Sequence, residues 1–314
     1  MRTTILSLTL LSSALLTAQS ITPSVVGSAG GSGTAGATTL SWTVGEMSVS
    51  TLNNGNNILT QGFHQGEPLK VRINIAAFLQ GPYNSGTGLM NDGLRSNGLI
   101  PLNEPYTSLG YVFAGGSGES TTQPILDFPG TNAIIDWVVL ELRDKNDNTS
   151  ILHSRAALLQ ADGDVVEVDG FSPVSISIPS DSYFIAVLHR NHLGVMSAAP
   201  IALTSTATSV DFTDGSTITH GTDAQQMING IRALWAGDVT FDGTIKYTGQ
   251  DNDRDPILTA IGGTVPTNTV NGYYAEDVNM DGTVKYTGLN NDRDPILQNI
   301  GGVVPTNIRV EQMP

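Results

Sequence analysis

The chain of 314 residues contains no cysteine. Disulfides therefore cannot hold it together, and no thiol is available as a nucleophile. Apolar cores, with the help of any metal, must do that work. Basic residues are also scarce, 14 Lys and Arg against 29 Asp and Glu, for a formal net charge of −15. Nucleic-acid phosphates demand a basic surface, so nucleic acid is not an expected partner. Long apolar runs are missing as well. The run from Ile5 to Leu16 is too short to span a membrane. There is no Gly-x-Ser-x-Gly elbow, no His-Glu-x-x-His and no P-loop. The glycine runs at 30–33 and 115–118 follow no helix-opening pattern, so phosphate cradling is not expected. Hydrophobic residues still make up 39%, enough for cores, and the length suggests two or three domains.

What the chain does have is a stretch that occurs twice, 39 positions apart: AGDVTFDGTIKYTGQDNDRDPILTAIGG from Ala236 to Gly263, and AEDVNMDGTVKYTGLNNDRDPILQNIGG from Ala275 to Gly302. Of the 29 acids, 10 lie between Ala236 and Gly302, against four bases, Lys246, Arg254, Lys285 and Arg293. Asp238, Thr240 and Asp242 place oxygens at alternate positions before Gly243. Asp277, Asn279 and Asp281 do so before Gly282. Hard cations such as calcium take six to eight oxygens from such a loop, with Gly at position six and a backbone carbonyl at position seven, here Thr244 and Thr283. Position twelve, normally acidic, is Gly249 or Gly288. The closing carboxylate is thus displaced by an insertion to Asp253 or Asp255, and to Asp292 or Asp294. Thr240 replaces the usual Asn or Asp, so the first site should be the weaker. Arg254 and Arg293 could instead pair with the neighbouring carboxylates. Asp255-Pro256 and Asp294-Pro295 read as N-caps of short helices, Pro256 to Ile261 and Pro295 to Ile300, that stop at Gly-Gly.

DVNMDGTVKYTGLNNDRDPIL resembles the paired calcium loops of dockerin-type modules, closest to the variant in secreted Bacteroidota proteins loosely called hemagglutinin-like. The resemblance implies bound calcium and, more weakly, docking onto a cohesin-like or other surface protein. Family helices are longer than these, and family loops lack the insertion. LSWTVGE and LTQGFHQ resemble a segment common near the ends of such secreted proteins. DWVVLELRD and HRNHLGVMS resemble the domain that precedes such pairs.

The first 18 residues, with Arg2, the apolar run and small residues ending at Ala18, read as a secretory signal cleaved before Gln19. Residues 19–66 read as a small β-meander with Trp42 and Phe63 as its core, its pieces separated in part by the Asn53–Asn57 turn signal. Residues 69–204 read as an antiparallel, immunoglobulin-like β-sandwich. Its strand candidates are Lys70–Leu79, Ala133–Arg143, Ser150–Leu159, Val165–Val168, Val174–Ile178 and Tyr183–His189, with an irregular excursion from Gly81 to Pro129 that holds a strand near Tyr106–Phe113. Residues 205–235 read as a linker and one amphipathic helix. Thr222 and Gln225 form its capping box, and Met227, Ile228, Ile231, Leu234 and Trp235 share one face. Residues 236–314 hold the repeats.

His189-Arg190-Asn191-His192 is the most chemical-looking stretch elsewhere. A metal shared by the two histidines would require the strand to end between them, and structural hydrogen bonding is the simpler expectation. Arg190 could hold a carboxylate, or equally pair with Asp164 or Glu141 across strands. Asp162-Gly163-Asp164 and Asp169-Gly170 read as turns. These features predict an exported, non-enzymatic, calcium-stabilised protein for surface adhesion or scaffolding. The alternative is a carbohydrate-binding or carbohydrate-degrading protein, with Tyr83, Tyr106, Tyr111 and Trp137 lining a groove.

Overall fold

A computed structural model describes residues 29–35, 38–44, 51–53, 58–60 and 70–314. The molecule divides into two compact units, Met1–Glu67 and Pro68–Pro314. The first contains two antiparallel hairpins, β1 (Ala29–Ala35) with β2 (Thr38–Val44) and β3 (Thr51–Asn53) with β4 (Ile58–Thr60). The expected Trp42–Phe63 packing and the signal-like segment lie outside the described residues.

In the second unit the chain runs β5 (Val71–Ala76), β6 (Tyr83–Asn84), β7 (Leu89–Met90), α1 (Gly93–Ser96), α2 (Gln123–Leu126), β8 (Ile134–Asp144), β9 (Asp147–Gln160), β10 (Asp164–Val166), β11 (Val174–Ile176), β12 (Asp181–His189), β13 (His192–Met196), β14 (Ile201–Leu203) and β15 (Thr208–Asp211). The six expected strands all form, with shifted ends. The excursion differs from expectation: residues 106–110 form a turn, residues 111–113 are irregular, and the strands there are the short pair β6–β7. Residues read as linker supply β15, whose alternation TSVD was masked by the polar residues around it.

These strands are hydrogen-bonded into one connected nine-stranded sheet, not two separate ones. All its pairs are antiparallel except β15 on β5. The sheet curls. β14 pairs with β12 near one edge, yet the carbonyl of Thr204, the next residue, accepts from the Arg72 N–H of β5 at 3.0 Å. Strand β8 is buried on both faces. The 81–129 excursion helps cover it: the Tyr106 hydroxyl donates to the Trp137 carbonyl at 2.7 Å, and the Trp137 indole donates to the Pro101 carbonyl at 2.9 Å.

The expected helix of residues 222–235 is instead a hairpin, β16 (Gln225–Ile228) with β17 (Ile231–Leu234). Its two-residue turn is Asn229-Gly230, both left-handed (φ 51° and 91°), which is the turn that matches strand twist. The apolar spacing there fits either period, and the Asn-Gly pair decides it.

The repeats form β18 (Thr244–Lys246), α3 (Arg254–Ala260), β19 (Thr269–Asn271), β20 (Thr283–Lys285), α4 (Arg293–Asn299) and β21 (Ile308–Val310). Each helix begins two residues before its expected start. The N-cap residues are Asp253 and Asp292, and the residue before each, Asn252 or Asn291, accepts the Asp255 or Asp294 N–H on its side-chain oxygen at 2.9 Å. Both helices stop, as expected, on left-handed Gly-Gly pairs. The strands are exchanged between copies: β19, after the first helix, pairs with β20 of the second loop, and β21, after the second helix, pairs with β18 of the first. The threonine after each KY pair also crosses over, Thr248 to the Pro305 carbonyl (2.8 Å) and Thr287 to the Pro266 carbonyl (2.9 Å). The pair therefore has a near two-fold arrangement around its own core, which includes Ile245, Ile257, Val284 and Ile296. Among the described residues no helix is long and apolar enough to cross a membrane.

Candidate metal centres and the buried charge beside them

Each repeat loop turns back on two carboxylates. In the first, Asp238 accepts the Asp242 and Gly243 N–H groups, both at 3.0 Å. Asp253 accepts those of Thr240 (3.0 Å) and Lys246 (2.8 Å). In the second, Asp277 accepts the Asp281 and Gly282 N–H groups at 3.1 and 2.8 Å. Asp292 accepts those of Val278 (2.9 Å), Asn279 (3.2 Å) and Lys285 (2.7 Å). All four acids are buried. The residue before each Asp-Gly, Phe241 or Met280, is left-handed, a strained conformation for a side chain of that size. Both side chains lean on the sheet unit: Phe241 packs at 6.0 Å from the Tyr106 ring, and Met280 enters the main core.

This geometry separates the candidate ligands. Asp253 and Asp292 turn inward beside Asp238 and Asp277. Asp255 and Asp294 do not: they sit further out and pair with Arg254 at 2.7 Å and Arg293 at 2.8 Å, each also held by Asn252 or Asn291. Asp242 and Asp281 lie at the mouths of the loops within 3.5 and 3.1 Å of Lys246 and Lys285. Asn279 turns its side-chain oxygen inward, toward the Asp281 N–H (2.9 Å). Thr240, its counterpart, donates its hydroxyl to Asp253 (3.1 Å). Thr244 and Thr283 open β18 and β20, at the position that offers a carbonyl. Among the described residues no group of three His, Asp or Glu converges on one point. Each loop gathers two buried carboxylates, with the Thr240 hydroxyl beside them in the first and the Asn279 amide oxygen in the second.

The electrostatics of these pairs is unusual. Burial, then repulsion from Asp253, pushes the Asp238 carboxyl up to about 8. Burial and Asp277 push Asp292 to about 8 in the same way. Burial raises Asp253 and Asp277 to about 6 against the pull of the loop amides. The donors are all oxygen, which suits a hard cation. A carboxylate oxygen that accepts one N–H retains a lone pair for a metal. A divalent ion between the two acids would remove their repulsion.

A second buried cluster joins the repeats to the sheet, and sequence reasoning found only part of it. Strand β12 does end after His189, and a bend at Arg190-Asn191 brings His192 back beside it, with Nδ1 atoms 3.1 Å apart. Arg190 does not reach Asp164 or Glu141. Its Nε donates to Asp136 at 2.9 Å. Asp136 also takes a hydrogen bond from the Tyr273 hydroxyl (2.6 Å) and lies 3.2 Å from His189 Nε2. Burial opposes ionisation of Asp136, but Arg190, His189 and Tyr273 outweigh it and hold its carboxyl down to about 2. The Gly81 N–H donates to His192 Nε2 (3.0 Å), so the proton of the neutral ring lies on Nδ1, facing the Asn191 side-chain oxygen at 2.7 Å. Burial, then the nearby charges of His189 and Arg190, hold His192 well below its ordinary range. Asn191 donates to the carbonyls of Ala275 (2.9 Å) and Asp277 (2.8 Å), and Arg190 donates to that of Tyr274. The histidines are therefore structural, and the second loop is bolted to the sheet at Asp277, its first candidate ligand. No sequence signal pairs Asp136 with residues 54 and 137 positions away.

The four aromatics expected in a groove are not exposed there. Tyr106 and Trp137 are fully buried, and Tyr83 and Tyr111 pack against the core. The turns at Asp162-Gly163 and Asp169-Gly170 form, each with a left-handed Gly. No family model, curated protein or solved structure matches the chain.

Proposed function

We propose that the two repeats bind calcium as a dockerin-like pair, one ion per loop. Asp238, Asp253 and the Thr244 carbonyl would hold the first ion. Asp277, Asn279, Asp292 and the Thr283 carbonyl would hold the second, with Asp242 and Asp281 at the mouths. The observation that carries this reading is the pair of buried carboxylates in each loop, with no cation of the chain between them. Calcium there turns binding energy into folding energy for a module with a small core. The signal-like first 18 residues support export. The protein as a whole is then an exported, non-enzymatic scaffold or adhesin. Its curled sheet acts as an immunoglobulin-like platform, and its repeat pair faces a cohesin-like or other surface partner.

The test is calorimetric titration of the full chain with calcium, beside thermal melting with and without chelator. Two binding events are expected. Asp253→Ala should remove one, and Asp292→Ala the other. No heat and an unchanged melt would mean that the loops are ordinary turns closed by their own N–H groups.

A further inference from the structure

Four buried side-chain polar atoms lack a hydrogen-bond partner among the described residues, and two of them fall at one place. They are Glu119 Oε2 and His153 Nδ1. Both residues line a cavity of about 250 Å3, together with Arg155, Ser117, Ser175 and Ser177. One wall is the glycine-rich segment at 115–119. The other is the sheet, with His153 and Arg155 on β9 and Ser175 on β11.

The segment is fixed at both ends. Ala114 and Ser154 exchange two hydrogen bonds of 2.8 Å, and the Glu104 N–H donates to the Glu119 carbonyl at 3.0 Å. Gly115 is left-handed (φ 90°), and a Cβ there would lie 2.8 Å from His153 Cδ2. Glycine alone lets the backbone rest on the imidazole. The wall is thus built in advance.

The chemistry of the walls narrows the ligand. Arg155 is held by Glu167 through two bonds of 2.9 and 2.8 Å and stands 3.7 Å from Glu119. Its charge is therefore already answered, and one buried oxygen of Glu119 has no partner. Burial keeps His153 below its ordinary range, so at neutral pH it is an uncharged donor and acceptor. No aliphatic or aromatic side chain lines the cavity. An apolar ligand would find no surface there, and an anion would meet Glu119. A ligand with several hydroxyls matches the carboxylate, the imidazole and the three serines. The volume lies below that of pockets for drug-sized molecules and suits a single ring.

We propose that this cavity binds a neutral polyhydroxylated ligand, one sugar unit taken end-on, through Glu119, His153 and the serine rim. The proposal uses none of the calcium-loop residues and stands apart from that reading. The experiment is saturation-transfer NMR on the full chain in calcium. The probes are the methyl glycosides of glucose, galactose, mannose and N-acetylglucosamine, with choline as a cationic control. At least one glycoside should show transfer. Its affinity should fall about tenfold in Glu119→Gln, which exchanges an acceptor for a donor. It should also fall in Ser177→Val, an exposed rim position whose change leaves the melt unaltered. Absence of transfer from every glycoside, transfer from choline alone, or transfer unchanged in both variants would overturn the proposal.

Discussion

The molecule buries acids in two opposite ways. Asp136 has its own cation: Arg190 lies at 2.9 Å and stacks 4.3 Å over the Tyr273 ring, and the carboxyl stays ionised down to about 2. Asp238 and Asp292 have another acid as neighbour, and each is pushed up to about 8. Both sites are buried and rich in hydrogen bonds, so burial alone does not distinguish them. The sign of the nearest charge does. The chain supplies that charge where the repeats meet the sheet and omits it inside the loops, where a positive ion from outside would fit.

The largest test of this contrast is removal of calcium. At a free concentration one hundred times Kd, each site should add about 2.7 kcal/mol, so chelation should cost about 5 kcal/mol over two sites. The pH profile sharpens the point. In chelator the folded loops bind more protons than the unfolded chain between about pH 4 and 8, so their contribution should fall as pH rises through that window. Asp136 has the reverse slope: its contribution is present above about pH 4 and is lost as pH falls toward 2. Thermal melts across pH, with calcium and with chelator, should show the first slope vanish in calcium and the second persist. A melt in chelator that does not weaken between pH 4 and 8 would break the comparison.

Next in size is Arg190→Met, which puts Asp136 in the condition of the loop acids. Leaving one buried charge without its partner costs about 3–5 kcal/mol. The denaturation midpoint should drop accordingly, and the loss should shrink in the double variant with Asp136→Asn. A fully additive double variant would show that the two residues are not coupled. The smallest effect should come from Asp255→Asn. It removes the outward pair with Arg254 and at most weakens the bond from Asn252, so stability should change by about 1 kcal/mol or less and calcium binding should be retained. Loss of a binding event in Asp255→Asn would move the closing ligand away from Asp253.

The repeats were legible in the sequence because two copies repeat the same oxygen spacing. Which acid faces inward was not, since Asp253 and Asp255 differ only in where the helix begins. That start is fixed by the Asn252 side chain, three residues ahead of Asp255 in the Asp-Pro signal. The repeat unit is also longer than its Asp-rich part. TVPTN and VVPTN follow the two Gly-Gly stops and lead into the exchanged strands β19 and β21. The hairpin at 225–234 was hidden because Met227, Ile228, Ile231 and Leu234 satisfy a helical period, and only Asn229-Gly230 argues against it. The Asp136 cluster is a product of the tertiary fold and has no local signature.

The strand exchange sets an order of assembly during synthesis. The first loop leaves the ribosome early, but its strand β18 has no partner until Ile308–Val310 follow. The second loop finds β19 already made. The loop translated first is therefore completed last, and a nascent chain halted between the repeats carries an acidic loop with an open strand edge. Such an edge is a template for mispairing until the remaining residues arrive.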